Sequence, residues 1–345
     1  MTLFRNLIMI PYKFIWKLLS LFNRTSGIDF LCGNIVDYFC FRPVHKLMPK
    51  VRIVARNRRV QKDLKSIGID SVLYPTFPKV IIIARHLTRK FPVKEIVKIG
   101  MRHGAYHFKD FVSKDKYNAF DSFFVTSKKE VEIAKTKSIT SCKAIGFPKI
   151  DPMFNGEIGA DLLLKTKKSL NIDDSKPIIL FTATWNKSSY SAINRWYDKL
   201  DQLTEKYNIL VTVHQWTTKE VKDKVIATKG IKYLSDKDIL KYLMIADLMV
   251  GDTSSIIAEF CSLDKPIITF ELPEYKRFTS EIITMLKEIS FRVETFDQLL
   301  ETLPIALKER GKHKKFREKY NKIMFDDLDG RASERARDQI LKMMR

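Results

Sequence analysis

Two histidines each follow an apolar run of the kind that forms a buried strand, and each is a candidate for proton transfer. His103 ends the segment Ile-Gly-Met-Arg-His, and His214 ends the segment Val-Thr-Val-His. Histidine suits general acid–base catalysis because its unperturbed pKa lies near neutrality. Arg102 and Gly104 flank the first histidine and are candidate acceptor or cleft residues. A histidine held by hydrogen bonds in a loop is the alternative at both positions.

A hydroxyl-rich turn after a third apolar run predicts a phosphate site. Residues 248–251 form the apolar run, and four polar residues follow it directly, namely Asp252, Thr253, Ser254 and Ser255. Backbone N–H groups at a helix N-terminus, the helix dipole and hydroxyls together bind phosphate. We expect Asp252 to orient the hydroxyls or cap the helix, and Glu259 to accept hydroxyls of a ribose. An ordinary N-cap is the alternative, although it accounts for only one or two of these residues.

A third polar segment follows the apolar run 178–182. It contains Thr184, Trp185 and Lys187, which supply a hydroxyl, an aromatic ring and an ammonium group. These groups suit contacts to a nucleotide donor. The alternative is that Ser188 or Ser189 simply caps the helix that follows.

The elements that must position these residues follow a strand–loop–helix pattern. The predicted strands are 51–55, 80–84, 96–101, 122–126, 144–147, 178–182, 209–214, 248–251 and 267–270. Several are continuous apolar runs without alternation, which is typical of strands buried on both faces of a parallel sheet. The sequence therefore predicts an α/β protein with two doubly wound, Rossmann-type domains facing a cleft, at 25–165 and 166–345. The option that the last helix crosses back to the first domain stays open.

The length and composition fit this architecture and limit the partners. The chain has 345 residues, with 62 Lys and Arg against 40 Asp and Glu and a net charge of +22. A hydrophobic content of 45% excludes a disordered chain. The excess of positive charge indicates an anionic partner, which could be nucleic acid, an anionic membrane or a phosphorylated substrate. The four cysteines form no CxxC pair, which argues against a structural zinc site and indicates reduced thiols in a cytosolic compartment.

Residues 1–24 contain no acid and are predicted to form a basic amphipathic helix. Lys13, Lys17, Ser20 and Arg24 share one face, and apolar and aromatic residues fill the rest. Such a helix suits the plane of an anionic membrane surface and is too short in its apolar run to cross the bilayer. The alternative is a helix packed on its own domain with its lysines in solvent.

The order of these motifs resembles that of the CDP-glycerol glycerophosphotransferase family, which includes teichoic-acid primases and polymerases. The matching segments are 102–104, 146–151, 181–185, 213–214, 251–255, 264–268 and 329–335. The resemblance implies a GT-B-like fold, with His103 and His214 as the functional histidines and Thr253, Ser254 and Ser255 as the phosphate-binding hydroxyls. Departures at Asn186 and Gln215 leave the identity of the polyol open.

The resemblance also implies the activity. It implies the transfer of a polyol phosphate from a CDP-activated donor to a hydroxyl of a membrane-linked glycan or glycolipid, with release of CMP. Glycerol phosphate is the favoured polyol phosphate. The CDP-polyol is a substrate, and no cofactor or obligatory metal is expected. The protein is expected to attach peripherally to the cytoplasmic face of the membrane. Nucleic acid is not an expected partner, and the oligomeric state stays open.

Three other functions remain as alternatives. The first is a GT-B glycosyltransferase that uses a nucleotide sugar in surface polysaccharide synthesis. The second is a cationic, membrane-associated binding module without catalysis. The third is a metal-dependent transferase, for which Asp236-Lys237-Asp238 and Asp327-Leu328-Asp329 are the candidate carboxylate pairs.

Overall fold

The computed structural model describes residues 2–105, 113–186, 191–273 and 280–344, with side chains from residue 10 onward. The chain divides into two compact units. Unit 1 contains residues of 1–103, 111–151 and 329–345, and unit 2 contains residues of 104–110 and 152–328. The main boundary therefore follows Asp151, whereas the sequence placed it after residue 165.

Thirteen strands occur in the described residues and form one parallel sheet in each unit. The strands are β1 (Ser26–Cys32), β2 (Arg52–Ala55), β3 (Val72–Leu73), β4 (Pro78–Ile83), β5 (Val97–Met101), β6 (Ser122–Val125), β7 (Cys142–Ala144), β8 (Ile178–Ala183), β9 (Asn208–Val213), β10 (Ile231–Tyr233), β11 (Leu248–Gly251), β12 (Ile267–Phe270) and β13 (Phe291–Val293). Unit 1 has the order β3-β2-β1-β4-β5-β6-β7, and unit 2 has β10-β9-β8-β11-β12-β13. The order reverses at β1/β4 and at β8/β11, which is where doubly wound sheets bind ligands.

The α-helices cover the two sheets. They are α1 (Thr2–Leu21), α2 (Ile35–Leu47), α3 (Arg58–Lys65), α4 (Lys114–Asn118), α5 (Lys128–Thr136), α6 (Ala160–Ser169), α7 (Lys219–Ala227), α8 (Leu240–Ile245), α9 (Ile256–Cys261), α10 (Ser280–Ile289), α11 (Phe296–Lys308), α12 (Lys314–Phe325) and α13 (Ala332–Lys342). Continuous buried runs form the central strands, as in Ile178–Ala183, where every residue is buried. The predicted α/β class with two Rossmann-type sheets is confirmed.

Two details of the predicted strands are wrong. The strand predicted at 144–147 ends at Ala144 in β7, because Gly146 turns the chain with a φ of +84°. A Cβ on Gly146 would also lie 2.8 Å from the Cβ of Ala332, so α13 requires a glycine there. The sequence also missed the short strands β3, β10 and β13. It missed β1 as well, in which Asp29 interrupts the apolar run. That carboxylate is buried and receives two 3.0 Å hydrogen bonds from Arg52 on β2.

The last helix lies in unit 1 and is held there by one buried carboxylate. Asp151 accepts hydrogen bonds from the backbone N–H of Ala332 at 3.2 Å and from the N–H and hydroxyl of Ser333, both at 2.6 Å. Further along α13, Ala336 and Ile340 pack into the same core as α2. The two motif segments at 146–151 and 329–335 therefore meet in a structural joint.

Helix α1 packs on unit 1 through one face only. The Tyr12 hydroxyl donates to the carbonyl of Thr76 at 2.7 Å, and the Trp16 indole donates to that of Pro78 at 2.8 Å. The opposite face leaves Phe14 68% and Leu21 80% exposed. The packed-helix alternative thus holds for the first face, and an apolar surface remains on the second. None of the helices in the described residues is long and apolar enough to span a bilayer.

Candidate functional site

Asp252 organises the point in unit 2 where the strand order reverses. Its carboxylate is fully buried just after β11. It accepts the N–H of Thr184 at 2.8 Å, the Thr184 hydroxyl at 3.0 Å and the N–H of Ala192 at 3.1 Å. It also accepts the N–H groups of Thr253 at 2.6 Å and Ser254 at 3.0 Å. Burial raises the pKa of Asp252, while these hydrogen bonds oppose that rise. Asp252 therefore fixes the loop after β8 against the turn after β11.

The turn that Asp252 holds presents hydroxyl groups. Thr253 is buried, whereas Ser254 and Ser255 are partly exposed. Within the described residues, the hydroxyls of Ser254 and Ser255 make no hydrogen bond to the protein. Helix α9 has only six residues, so its dipole contributes less to anion binding than the sequence suggested. The hydroxyls are therefore the principal donors that this turn offers.

Glu259 lies in the first turn of α9 but is only 2% exposed. It already has an interaction within the protein. A contact between its carboxylate and a ribose therefore requires a local rearrangement. Its role at a donor stays a prediction.

His214 lies beside two tryptophans after β9. The ring centroid of Trp216 is 5.1 Å from that of His214 and 5.8 Å from that of Trp185. Trp216 is 63% exposed. Sequence analysis missed Trp216 as a candidate site residue. Its position directly after a strand end beside a histidine was the available signal.

The hydrogen bond to His214 fixes which ring nitrogen carries the proton. The backbone N–H of Trp216 donates to Nδ1 of His214 at 3.2 Å. A neutral imidazole whose Nδ1 accepts must carry its proton on Nε2. In the neutral ring of His214, the proton therefore lies on Nε2.

Asn186 links the loops that follow β8 and β9. Its amide donates to the Thr218 hydroxyl and its carbonyl oxygen accepts the Thr218 N–H, both at 2.9 Å. This residue was noted in the sequence as a departure from the family pattern. The neighbouring Lys187 lies outside the described residues, so its predicted donor role is untested.

His103 in unit 1 has the opposite tautomer. Its Nδ1 lies 3.0 Å from the carbonyl oxygen of Ala84, which can only accept, so Nδ1 carries the proton. The lone pair of Nε2 is then available to accept a proton. Desolvation of the ring, followed by the charge of Arg85, lowers the pKa of His103, and Asp37 acts against this. The ring is therefore neutral at pH 7, as a general base requires.

Asp37 and Arg85 form an ion pair that sequence analysis missed. Asp37 is fully buried in the first turn of α2 and accepts the N–H of Gly33 at 2.8 Å. Arg85 donates to it through Nε at 2.9 Å and lies after β4. The pair thus joins β1 to β4, where the strand order reverses. The capping sequence Asn34-x-x-Asp37 after an apolar run was the available signal.

Arg102 is directed into unit 1. Its guanidinium pairs with the nearly buried Glu130 and donates to the Tyr117 hydroxyl at 3.2 Å. Its predicted acceptor role is therefore disfavoured by these contacts, which serve the stability of unit 1. Gly104 clusters with unit 2, where a Cβ would lie 3.1 Å from the Ser255 hydroxyl.

The candidate metal carboxylates are engaged in local contacts. Asp236 bonds Lys241 at 2.7 Å, and Asp329 bonds Arg335 at 2.7 Å. No cluster of three or more His, Cys, Asp or Glu suited to a metal occurs in the part of the chain that the structure describes. The expectation that no metal is obligatory stays a prediction.

Neutralising Arg85 and neutralising Asp37 should shift the pKa of His103 in opposite directions. Arg85, Asp37 and Arg102 are the charged groups that act on the ring. Removing the nearby positive charge with Arg85→Gln is expected to raise the pKa of His103. Asp37→Asn is expected to lower it, because the acid that favours the imidazolium is lost. An NMR titration of the His103 ring measures both. Shifts of the same sign in the two folded variants would contradict this account.

Comparison with known proteins places these features in a family. The model for CDP-Glycerol:Poly(glycerophosphate) glycerophosphotransferase matches residues 96–342. The teichoic acid ribitol-phosphate polymerase TarL of Staphylococcus aureus is 25% identical over 242 residues, covering 65% of this chain and 42% of TarL. The teichoic acid glycerol-phosphate primase of Bacillus subtilis is 30% identical over 177 residues, covering 47% of this chain and 42% of the primase. The chain spans between 33% and 51% of the first four curated relatives it matches.

Solved structures share the fold. The wall teichoic acid polymerase TagF superposes with a TM-score of 0.73 at 15% identity, covering 99% of this chain and 97% of the other. The UDP-GlcNAc 2-epimerase of Neisseria meningitidis gives a TM-score of 0.63 at 12% identity, covering 92% of this chain and 100% of the epimerase. These likenesses confirm the predicted GT-B-like fold.

Proposed function

The chain belongs to the CDP-glycerol:poly(glycerophosphate) glycerophosphotransferase family, and on that premise we propose that it transfers glycerol phosphate from CDP-glycerol to an acceptor hydroxyl. The observation that carries the proposal is that the matched residues 96–342 contain both histidines and the hydroxyl turn. The complementary tautomers of the histidines support it, because one ring can accept a proton and the other can donate a hydrogen bond.

In the proposed reaction, Nε2 of His103 takes the proton from the acceptor hydroxyl. The acceptor oxygen then forms a bond to the β-phosphorus of CDP-glycerol, and the bond from that phosphorus to the bridging oxygen breaks. CMP leaves with the electron pair of the broken bond. The Nε2–H of His214 and the hydroxyls of Ser254 and Ser255 donate to the diphosphate. Such fixed donors lower the barrier of phosphoryl transfer by positioning and charge stabilisation.

The nucleotide half of the donor fits the remaining groups of unit 2. Trp185 and the exposed Trp216 offer aromatic surface for the cytosine. Thr184, in the loop after β8, and Thr253, in the turn after β11, are both held by Asp252. Lys187 is proposed to neutralise part of the diphosphate charge. Glu259 is left for the ribose hydroxyls, as its sequence position suggested.

The acceptor is proposed to be a membrane-linked glycan or glycolipid, with the protein bound peripherally to the cytoplasmic face of the membrane. The exposed apolar residues of α1 and the adjacent Lys13 and Lys17 support this attachment. A helix of this type lies in the plane of an anionic surface.

Release of CMP from a set of donors tests the proposed activity. The protein is incubated with a lipid-linked glycan acceptor and, separately, CDP-glycerol, CDP-ribitol or UDP-N-acetylglucosamine. We expect CMP from CDP-glycerol, with acceptor-dependent incorporation of glycerol phosphate, and no UDP from the sugar donor. Release of UDP with no CMP would favour the glycosyltransferase. Donor binding that is unaffected by substitution of both histidines, with no product, would favour the binding module.

A further inference from the structure

A cavity of about 830 Å³ opens in unit 1 beside α1. Its apolar wall is formed by Tyr12, Ile15, Tyr74, Phe77 and Leu87. This volume lies in the range of cavities that bind small molecules. None of the side chains that the proposed reaction uses lines it. The cavity is therefore separate from the side chains of the proposed reaction.

The rim of the cavity is cationic. Arg56, Arg89, Lys90 and Lys116 line it, against one carboxylate, Asp115, among the described lining residues. Arg56, Arg89 and Lys116 are exposed. His86, the histidine among the described lining residues, stays neutral at pH 7 because burial lowers its pKa to about 4. The charge of the rim is complementary to an anionic head group, and its apolar wall to a hydrocarbon chain.

Part of the cavity wall lies at the same sheet edge as His103. Arg56 follows β2, Tyr74 follows β3, and Leu87 comes shortly after β4. Because these strands are parallel, their carboxyl ends meet at one edge, where β5 also ends before His103. The chain passes directly from the carbonyl of Ala84, which holds His103, to the cavity wall at His86 and Leu87.

The other side of the cavity reaches the exposed face of α1. Ile15 lines the cavity and is itself 40% exposed. On the same helix, Ile10, Phe14 and Leu18 are spaced four residues apart and are 65%, 68% and 45% exposed. Exposed apolar residues at this spacing form a continuous stripe. A ligand chain too long to fit inside the cavity would therefore meet apolar surface where it leaves it.

We propose that this cavity binds a phospholipid-type ligand, with its phosphate at Arg56, Arg89 and Lys116 and the first part of its hydrocarbon chain against Ile15, Tyr74 and Leu87. The inference deepens the proposed function, on whose membrane-linked acceptor it rests. It makes the cavity the site that seats the lipid end of the acceptor, so that the glycan end extends along the sheet edge toward His103.

Binding of dodecyl phosphate below its micelle concentration tests the proposal directly, by calorimetry on the full chain. We expect dodecyl phosphate to bind at least about tenfold more tightly than either inorganic phosphate or the uncharged dodecyl maltoside. The comparison with inorganic phosphate separates a lipid ligand from a free anion. Equal affinity for inorganic phosphate and dodecyl phosphate would overturn the proposal.

Adjacent residues of α1 provide matched variants. Ile15 lines the cavity, whereas Phe14 does not, although both are exposed and apolar. Ile15→Glu is expected to weaken dodecyl phosphate binding about tenfold or more, because it places a carboxylate in the apolar wall. Arg89→Glu should weaken it similarly, and Phe14→Glu should change it less than about twofold. Equal loss in Phe14→Glu and Ile15→Glu would show that α1 binds the chain without the cavity and would overturn the proposal.

This test is separate from that of the transferase activity. Release of CMP from CDP-glycerol with a soluble, lipid-free acceptor does not need the cavity. If that reaction fails and dodecyl phosphate still binds as expected, the proposed function is wrong and the lipid site stands. If CMP is released and dodecyl phosphate does not bind, the lipid site is wrong and the proposed function stands.

Discussion

His103→Gln is expected to lower the kcat for release of CMP from CDP-glycerol by about 10²–10⁴-fold, the usual contribution of a well-placed general base. Glutamine retains an N–H that can donate to the Ala84 carbonyl, as Nδ1 of His103 does now. It has no group that takes up a proton near neutral pH. The variant therefore removes the base while keeping an amide donor near this carbonyl. Steady-state CMP release under saturating acceptor measures the effect.

His313→Asn provides the control for this substitution. The His313 ring bonds the carbonyl of Glu288 at 2.8 Å in unit 2 and is part of no proposed contact with substrate. We expect this variant to retain turnover within about twofold, whatever its effect on stability. Near-normal kcat in a folded His103→Gln variant would exclude His103 as the base.

The acidic limb of the rate profile gives a second readout of the same base. The pKa of His103 is lowered chiefly by desolvation and by Arg85. A group with a lowered pKa stays neutral to a lower pH, so kcat/KM should fall only below the ordinary range of histidine. In His103→Gln this limb should disappear along with most of the rate. A limb that persists unchanged would assign it to another group.

The strands could be predicted because their residues carry the signal locally. Runs such as Ile178–Ala183 are apolar at every position, which follows from burial on both faces. Strand β1 could not be found in this way, because Asp29 is buried in it. That carboxylate is tolerated only because Arg52, on the neighbouring strand, pairs with it. The pairing depends on strand order, which no local pattern contains.

The same limit applies to the candidate site. His103 and His214 were found because each ends an apolar run. Asp37 and Arg85 were missed because they are 48 residues apart and meet only when β1 and β4 are neighbours. Arg102 was selected for its place beside His103. Successive residues at a strand end point to opposite sides, and its side chain instead reaches Glu130 inside unit 1.

Residues 308–322 contain eight Lys or Arg against two Glu, and they show why charge alone is ambiguous. Arg317 is 1% exposed and donates to Asp264 at 2.8 Å, and Lys319 donates to Glu288 at 2.8 Å. A buried arginine with a carboxylate partner serves the stability of unit 2. Arg317 therefore contributes to the net charge without lying on a surface that could bind anionic lipid.

Asp252→Asn is expected to have the largest effect on donor use among the residues of unit 2. The substitution replaces one carboxylate oxygen by an NH₂ group, which would face N–H donors instead of accepting from them. Each unsatisfied buried donor costs about 1–3 kcal/mol, so we expect the free energy of unfolding to fall by about 3 kcal/mol. The substitution also weakens the hydrogen bonds that hold Thr184 against the turn at 252–255. We therefore expect kcat/KM for CDP-glycerol to fall about 100-fold, since small displacements of positioning groups have effects of this size.

Asp247→Asn is the matched control, because it lies at the other end of β11. Asp247 accepts the N–H of Ile178 at 2.9 Å, so both aspartates join β11 to β8, one at each edge of the sheet. Only Asp252 lies at the carboxyl edge, beside the hydroxyls. Asp247→Asn should therefore lower stability by about 1 kcal/mol and leave kcat/KM within about threefold. Chemical unfolding and CMP release measure the two effects. If Asp247→Asn lowered kcat/KM as much as Asp252→Asn, the loss would follow from stability, and the carboxyl edge of unit 2 would not be the donor site.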